Sequence, residues 1–241
     1  MISLGAIAII CEVFPSDIKE GITYVQVDDA NVALAVMASN FYENPSTKFP
    51  LVGVTGTNGK TTIASLLYQL FYKAGYKVGL LSTVKVLVDE VEFKATHTTP
   101  DSVAINKYLD MMLDAGVEFC FMEVSSHAVV QNRIHGVQFS GGVFTNISHD
   151  HLDYHKTFDA YIKAKKKFFD ELSESAFALT NIDDKNGMQM LQNTLGKKYT
   201  YALKKPANFK AKIIENQFDG LCLNIDDNEL WSKLVGEFNA Y

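Results

Sequence analysis

From Phe49 to Leu203 the chain alternates short apolar runs with longer segments in which apolar residues recur every three or four positions. The apolar runs predict strands near residues 51–55, 77–82, 118–124, 141–145, 176–180 and 197–201. The periodic segments predict helices near residues 60–74, 102–115, 157–172 and 184–194. Because strands that alternate with helices are typical of an open, mostly parallel sheet, we predict an α/β fold with helices on both faces of the sheet.

Two further patterns predict smaller elements around this sheet. Residues Val84–Lys94 alternate apolar and polar side chains about Asp89-Glu90, which predicts a hairpin at the rim of the sheet. After Pro206, three apolar runs predict a small antiparallel appendage; they are Ala211–Ile214, Leu221–Ile225 and Leu230–Leu234.

The first 47 residues contain too few elements for a domain of their own. They predict strands at Ala6–Cys11 and Ile22–Val27 and then a helix capped by Asp28-Asp29. Because domains rarely fall below about 50 residues, we interpret residues 1–47 as part of a larger N-terminal α/β domain. Residues 48–241 are interpreted as one further domain, after a linker at 44–47.

The segment GVTGTNGKTT, residues 53–62, joins a predicted strand to a predicted helix. Its glycines let several backbone amides face one oxyanion, and the helix N-terminus adds a partial positive charge. Lys60 can then reach the outer phosphates of a nucleotide, and the Thr61 hydroxyl can ligate Mg²⁺. Val54 stands where the usual phosphate loop has its first glycine, so this is a variant of the motif. The alternative is a glycine-rich turn without a ligand.

A second candidate site residue is Glu123, which ends the apolar strand pattern that begins at Glu118. A carboxylate at the end of a buried strand needs a partner for its charge. Mg²⁺ bound to nucleotide phosphates would supply one, because Mg²⁺ takes one or two protein carboxylates together with phosphate oxygens and water. The alternative is an ion pair with a neighbouring cation.

Histidines are concentrated after the apolar strand near 141–145, at His149, His151 and His155. Their spacing in a predicted loop does not match a structural zinc pattern, and no cysteine is close in sequence. We therefore expect one histidine to contact Mg²⁺ or substrate and the others to be polar loop residues.

Lys165 lies within the apolar stripe of the predicted helix 157–172, whereas Lys163, Lys166 and Lys167 are interpreted as a solvated basic face. The apolar residues that share the face of Lys165 are Phe158, Tyr161, Ile162, Phe168, Phe169 and Leu172. Burial and neighbouring ammonium groups lower the pKa of a lysine from about 10.4 towards the neutral amine. A neutral amine reacts with CO₂ to give a carbamate, which is a carboxylate-like metal ligand. The alternative is a lysine that extends its ammonium group to solvent.

Composition narrows the class of protein further. The net charge is −6 and the longest basic stretch is the lysine cluster at 163–167, so we expect no nucleic-acid partner. No apolar run reaches the roughly 18 residues of a membrane-spanning helix, and the apolar start lacks the basic region of a signal peptide. The widely spaced Cys11, Cys120 and Cys222 fit reduced thiols in a cytoplasmic protein without a membrane partner.

The sequence TGTNGKT at 55–61 resembles the phosphate loop of the Mur ligase superfamily, whose members use ATP to join an amino acid to a carboxylate. Other motifs narrow the resemblance to the MurE-type ligases. These motifs are HTTPD at 97–101, MEVSSHA at 122–128 with Gln131 and Arg133, Thr145-Asn146, and DHLDYH at 150–155 with Tyr161 and Lys165. MurE-type ligases add meso-diaminopimelate or L-lysine to UDP-MurNAc-L-Ala-D-Glu during peptidoglycan precursor synthesis.

This resemblance implies a role for each matching residue. The loop residues Gly56, Thr57, Asn58, Gly59, Lys60, Thr61 and Thr62 would bind ATP. Thr61, Glu123, His151 and a carbamylated Lys165 would ligate Mg²⁺, and Lys60, Glu123, His151 and Lys165 would carry the catalysis. Thr98, Thr99, Ser125, Gln131 and Arg133 would contact the UDP-MurNAc-dipeptide. The reaction implied is attack of the glutamate carboxylate on ATP to give an acyl phosphate, which the incoming amine then displaces.

The resemblance also implies a three-domain ligase of which this chain lacks the third domain and part of the first. We therefore expect a monomer that binds ligands but catalyses little ligation alone. Two alternatives are a folylpolyglutamate or cyanophycin synthetase of the same superfamily and a nucleotide-binding module without turnover.

Overall fold

The computed structural model describes residues 2–150 and 152–241. Its strands are β1 (Ala8–Cys11), β2 (Thr23–Gln26), β3 (Leu51–Thr55), β4 (Val78–Leu81), β5 (Lys85–Val88), β6 (Val91–Lys94), β7 (Phe119–Glu123), β8 (Gly141–Phe144), β9 (Phe177–Asn181), β10 (Lys197–Ala202), β11 (Phe209–Gln217), β12 (Gly220–Ile225) and β13 (Asn228–Ser232). Its α-helices are α1 (Ala30–Phe41), α2 (Lys60–Lys73), α3 (Ser102–Asp114), α4 (Ser126–Val130), α5 (Leu152–His155), α6 (Phe158–Asp170) and α7 (Gly187–Met190).

Within the described residues, one large sheet has the strand order β13-β12-β11-β10-β9-β8-β3-β7-β4-β5-β6. The strands from β10 to β4 in this order run parallel to their neighbours, whereas β5 and β6 form an antiparallel hairpin at one edge. The predicted α/β fold and the rim hairpin are therefore confirmed. Because β3 lies between β7 and β8, the carboxyl ends of these three strands meet at one edge of the sheet.

Helices cover both faces of the sheet, as predicted. Val54 and Phe121 pack with α2 on one face, whereas Leu51 and Met122 pack with α3, α4 and α6 on the other. This division follows from the strand geometry, since successive side chains of a strand point to opposite faces. The helix that follows the phosphate loop thus lies on one face, and the helix that carries Lys165 lies on the other.

Three predicted boundaries differ from the structure. The helix expected over 184–194 is only the single turn of α7 at Gly187–Met190. Helix α4 follows the strand predicted near 118–124 without having been predicted, and α5 replaces part of a predicted loop. The appendage after Pro206 is antiparallel as predicted, but β11 pairs in parallel with β10 through Tyr201 and Phe209. It therefore extends the main sheet, because β10 would otherwise leave an unpaired edge.

The N-terminal residues form a parallel pair, β1 and β2, followed by α1. The predicted cap is confirmed: the Asp29 carboxylate accepts hydrogen bonds from the backbone amides of Asn31 and Val32. Its second oxygen accepts a bond of 3.1 Å from the Asn132 side chain, which joins this segment to the rest of the chain. In the described part of the chain, no helix is both long and apolar enough to cross a membrane.

Candidate nucleotide and metal site

The phosphate loop follows β3 and requires glycine at two positions. Gly56 has φ +155°, and a Cβ there would lie 1.9 Å from Thr145 Oγ1. Gly59 has φ +86° and caps the N-terminus of α2 without a side-chain hydrogen bond, so the first amides of α2 remain free for an anion. The loop therefore has the close backbone approach and the exposed helix start that a phosphate group needs.

The chain after β8 holds this loop in place. The backbone amide of Thr57 donates to the Asn146 carbonyl at 2.8 Å, and the amide of Asn58 donates to Asn146 Oδ1 at 3.0 Å. Thr145 Oγ1 donates to the Asn58 carbonyl at 2.6 Å. These bonds preorganise the loop before a ligand arrives, which lowers the entropy cost of binding.

Lys60 curls back over its own loop. Its Nζ donates to the carbonyls of Gly56 at 3.0 Å and Thr57 at 2.9 Å. Burial lowers the pKa of Lys60, and the negative charges of Glu123 and Asp150 partly oppose that shift. Two backbone carbonyls thus hold the ammonium group against the loop. Of the other predicted loop residues, Thr61 is partly exposed, and Asn58 and Thr62 are exposed.

Lys165 is buried as the apolar stripe predicted, with 1% of its surface exposed. Its Nζ donates to the Gly56 carbonyl at 2.8 Å and lies 4.6 Å from the centre of the Tyr161 ring. Burial holds the pKa of Lys165 well below its ordinary value, and the positive charge of Lys60 lowers it further. Two lysines from opposite faces of the sheet therefore share one carbonyl oxygen, and burial lowers the pKa of both.

The interpretation of the neighbouring lysines was right for two of them and wrong for one. Lys163 and Lys167 are exposed. Lys166, however, is only 8% exposed, and its Nζ bonds both carboxylate oxygens of Asp170 at 2.6 and 2.8 Å. Its helical position places it beside the apolar stripe, where the aspartate one turn later satisfies the charge.

Glu123 lies at the carboxyl end of β7 with none of its surface exposed. One carboxylate oxygen accepts from the Thr83 amide at 2.7 Å and the other from Thr83 Oγ1 at 3.2 Å. Among residues 2–150 and 152–241, no lysine or arginine forms an ion pair with it, so the expected alternative of an ion pair with such a cation is not found. Sequence analysis missed Thr83, although it directly follows the predicted strand 77–82 at the same sheet edge.

Four of the five predicted substrate residues form one hydrogen-bonded group beside Glu123. Thr99 Oγ1 donates to the Glu123 carbonyl at 2.8 Å and accepts from the Ser125 amide at 3.0 Å. Arg133 Nη1 donates to the Thr99 carbonyl at 2.9 Å. Its Nε and Nη2 both donate to Gln131 Oε1, at 2.9 and 2.6 Å. Thr98, the fifth, is adjacent in sequence and partly exposed.

The histidines lie in different environments. His149 stacks on Phe158 with ring centres 4.4 Å apart. His155 was expected in a loop, but it belongs to α5, is 8% exposed, and its Nε2 lies 2.9 Å from Ser126 Oγ. The helix turns His155 inward against the start of α4, so that residue is a buried contact between elements. His151, predicted as a metal ligand, lies outside the described residues.

The residues present fit a nucleotide and Mg²⁺ bound together. Within the described ranges, no group of three histidine, cysteine, aspartate or glutamate side chains could hold a metal ion. Glu123 keeps free lone pairs on both oxygens, and Thr61 lies at the helix start that follows the loop. One carboxylate and one hydroxyl suit Mg²⁺, which takes its remaining ligands from phosphate and water.

The depressed pKa of Lys165 predicts how stability depends on pH. The unfolded chain binds a proton at this lysine up to about pH 10.5, whereas the folded chain releases it earlier, so the free energy of unfolding rises with pH in that window. In CO₂-free buffer we therefore expect Lys165→Met to raise the melting temperature near neutral pH, with a gain that shrinks towards about pH 10. Thermal melts across this range measure it.

Lys163→Met, at an exposed position of the same helix, is the matched control and should leave the pH profile of the melting temperature unchanged. A profile of Lys165→Met that runs parallel to that of the wild type would contradict the depressed pKa.

Comparison with known proteins agrees with this geometry. The chain matches the Mur ligase middle domain over residues 54–241. It is 56% identical to the UDP-N-acetylmuramoyl-L-alanyl-D-glutamate–2,6-diaminopimelate ligase of Cytophaga hutchinsonii over 242 aligned residues, which cover 100% of this chain and 50% of that protein. The chain thus spans about half the length of the curated relatives it matches.

Solved structures share the fold. One, of a UDP-N-acetylmuramoyl-L-alanyl-D-glutamate–2,6-diaminopimelate ligase, superposes with a TM-score of 0.83 at 26% identity and covers 99% of this chain and 50% of that one. The MurF ligase of Thermotoga maritima, solved with ADP, gives a TM-score of 0.60 at 19% identity and covers 98% of this chain and 51% of that one. With a family match over more than half of its residues, this chain belongs to the Mur ligase family and contains its middle domain.

Proposed function

We propose that this chain is the ATP-binding part of a ligase that adds 2,6-diaminopimelate to UDP-MurNAc-L-Ala-D-Glu. The observation that carries the proposal is the meeting of Lys60, Lys165 and the phosphate loop at the Gly56 carbonyl, beside the buried Glu123. The Cytophaga hutchinsonii relative is a 2,6-diaminopimelate ligase by name, which supports diaminopimelate rather than L-lysine as the incoming amino acid.

ATP would bind with its phosphates on the loop and at the N-terminus of α2. The ADP found with the MurF ligase of the same fold supports this choice of nucleotide. A cavity of about 200 Å³ opens beside the loop; its lining includes Gly59, Thr62, Asn146, Phe238 and Tyr241. This mixed polar and aromatic lining suits the base or sugar of the nucleotide.

The chain's own residues account for the chemistry of acyl-phosphate formation. Lys60 would place a positive charge beside the phosphate that is transferred. The low dielectric of this partly buried site would strengthen the attraction between the ammonium group and the phosphate oxygens. Mg²⁺, when bound, neutralises charge on the phosphate oxygens and orients them. Thr61, Glu123, His151 and a carbamate on Lys165 are the residues that would hold it.

Thr83 keeps both oxygens of Glu123 in one orientation, so the carboxylate is set before metal and nucleotide arrive.

The muramyl substrate would be bound by the group of Thr98, Thr99, Ser125, Gln131 and Arg133. Arg133 is the only arginine of the chain, and Gln131 and the Thr99 carbonyl fix its guanidinium. A fixed guanidinium is suited to a carboxylate or phosphate, because its planar donors match two oxygens at once. The network reaches Glu123 through Thr99, so substrate would lie beside the proposed metal site.

Calorimetric titration tests the proposal. The chain, with Mg²⁺ and a non-hydrolysable ATP analogue, should bind UDP-MurNAc-L-Ala-D-Glu. Arg133→Ala should weaken that binding about tenfold or more, because a charge-assisted contact is lost, and should leave binding of the analogue unchanged.

Lys107→Ala, which removes an exposed cation from α3, controls for a general effect of charge on binding. The substrate assignment would be contradicted if Arg133→Ala bound the muramyl compound as tightly as the wild type. The nucleotide assignment would be contradicted if the wild-type chain did not bind the ATP analogue. The free thiols Cys11, Cys120 and Cys222 support the cytoplasm as its setting.

A further inference from the structure

Thr55 is a buried residue whose hydroxyl has no hydrogen-bond partner in the described part of the chain. It ends β3 directly before the phosphate loop, and none of its surface is exposed. Its Oγ1 makes no hydrogen bond with any residue in the ranges 2–150 and 152–241. Such a hydroxyl is rare, because burial removes its hydrogen bonds to water without replacing them. It therefore needs an explanation from the site around it.

The geometry of β3 places this hydroxyl on the side of Lys165. Thr55 shares its face of the strand with Gly53, because side chains alternate along a strand. A Cβ on Gly53 would lie 2.6 Å from Phe168 of α6, so this face packs on α6. Lys165 lies one turn before Phe168, and its Nζ donates to the carbonyl of Gly56, the residue after Thr55. The Thr55 hydroxyl and the Lys165 side chain therefore both lie on the α6 side of β3.

We propose that Thr55 is a positioning residue whose hydroxyl donates a hydrogen bond to a carbamate formed on Lys165. The proposal deepens the proposed function and rests on it. In the step itself the lone pair of Lys165 Nζ forms a bond to the carbon of CO₂, one C=O electron pair moves to oxygen, and a proton leaves the nitrogen for solvent. The uncharged amine and CO₂ become an N-carboxylate and a proton.

The carbamate needs a hydrogen-bond donor and a positive charge nearby, and Thr55 and Lys60 can supply them. A carbamate adds two acceptor oxygens and a negative charge to a site from which water is excluded, and a buried charge persists only if it is paired and hydrogen-bonded. Lys60, which bonds the same Gly56 carbonyl, supplies the positive charge. The neighbouring Tyr161 hydroxyl already lies 3.2 Å from Thr57 Oγ1, whereas the Thr55 hydroxyl has no hydrogen-bond partner among the residues that the structure describes.

Two substitutions separate this role from a structural one. Thr55→Val keeps the shape and removes only the hydroxyl, and Thr55→Ser keeps the hydroxyl and removes a methyl group. The chain is equilibrated with ¹³C-bicarbonate, and the carbamate carbon is observed by ¹³C NMR, with Lys165→Met to assign the resonance. Thr55→Val should weaken carbamate formation about tenfold, the effect of losing a hydrogen bond to a charged group, and Thr55→Ser should restore it.

Thermal melts in CO₂-free buffer provide the second readout. Removal of an unpartnered hydroxyl should leave the melting temperature of Thr55→Val equal to or above that of the wild type, whereas a structural role requires it to fall. Two results would overturn the role of Thr55 and leave the proposed function untouched. One is a carbamate resonance of equal intensity in Thr55→Val and wild type, and the other is a lower melting temperature of Thr55→Val in CO₂-free buffer. A wild-type chain without any resonance sensitive to Lys165→Met would overturn the carbamate of the proposed function as well.

Discussion

Replacement of Gly56 by alanine is expected to abolish nucleotide binding and to lower the free energy of unfolding by about 3 kcal/mol. The new Cβ would lie 1.9 Å from Thr145 Oγ1 and 3.0 Å from the Asn146 carbonyl oxygen, and the backbone has φ +155°. Relief of this clash has to move the segment that holds Thr57 and Asn58, so the loop loses its shape. Chemical denaturation and titration with an ATP analogue measure the two effects.

Gly75→Ala is the matched control for the effect of Gly56→Ala. Gly75 follows α2 with φ +95°, and no atom lies within 4 Å of the position its Cβ would take. Alanine there incurs only the left-handed backbone penalty of about 1 kcal/mol, so nucleotide affinity should not change. If the two variants lose equal stability and both still bind the nucleotide, the close approach at Gly56 has no part in the site.

Substitution of Lys60 by methionine is expected to weaken binding of the ATP analogue about 100-fold. The ammonium group donates to the Gly56 and Thr57 carbonyls of the loop, and a charge-assisted hydrogen bond to phosphate contributes about 1.5–3 kcal/mol. Stability should change little, because the loss of two hydrogen bonds to carbonyls is offset by the removal of a charge that burial disfavours. Lys73→Met, at the exposed far end of α2, controls for the loss of a cation from the helix.

The same substitution has a second, independent readout at Lys165. The positive charge of Lys60 lowers the pKa of Lys165, so its removal should raise that pKa towards the ordinary value, while burial keeps it depressed. NMR titration of ¹³C-labelled lysine side chains follows this shift. A Lys165 resonance that titrates identically in Lys60→Met and wild type would show that the two amines do not sense each other.

Much of the fold follows from local pattern. The apolar runs that became β3, β7, β8 and β9 are bounded by glycine, polar or turn residues, and the phosphate-loop helix begins where Gly59 ends the loop. The two shortest helices before α6 could not be predicted in this way. Residues 126–130 and 152–155 form short helices whose sequences carry no amphipathic period. Packing against α6 stabilises both, and the Ser125 side chain caps the first of them.

The residues predicted for the candidate site are far apart in the sequence and come close together only in the folded chain. Lys60, Glu123 and Lys165 were each singled out from their own strand or helix, and the structure brings the two lysines to one carbonyl and the charge of Glu123 within range of Lys60. Sequence analysis did not find Thr83 or the unpartnered hydroxyl of Thr55, because a lone threonine after or within a strand has no distinguishing pattern.

The local pattern of side chains was enough to predict the α/β class, the strand, loop and helix around residues 53–62, the capped start of α1 and the burial of Lys165, since each depends on neighbours within a few residues. The packing of distant segments was needed to show how β11 joins the sheet, that Lys166 is buried against Asp170, and that Thr83 holds Glu123. The last of these contacts joins residues 40 positions apart in the chain. Such contacts are set by strand order and helix packing, which no local pattern of side chains encodes.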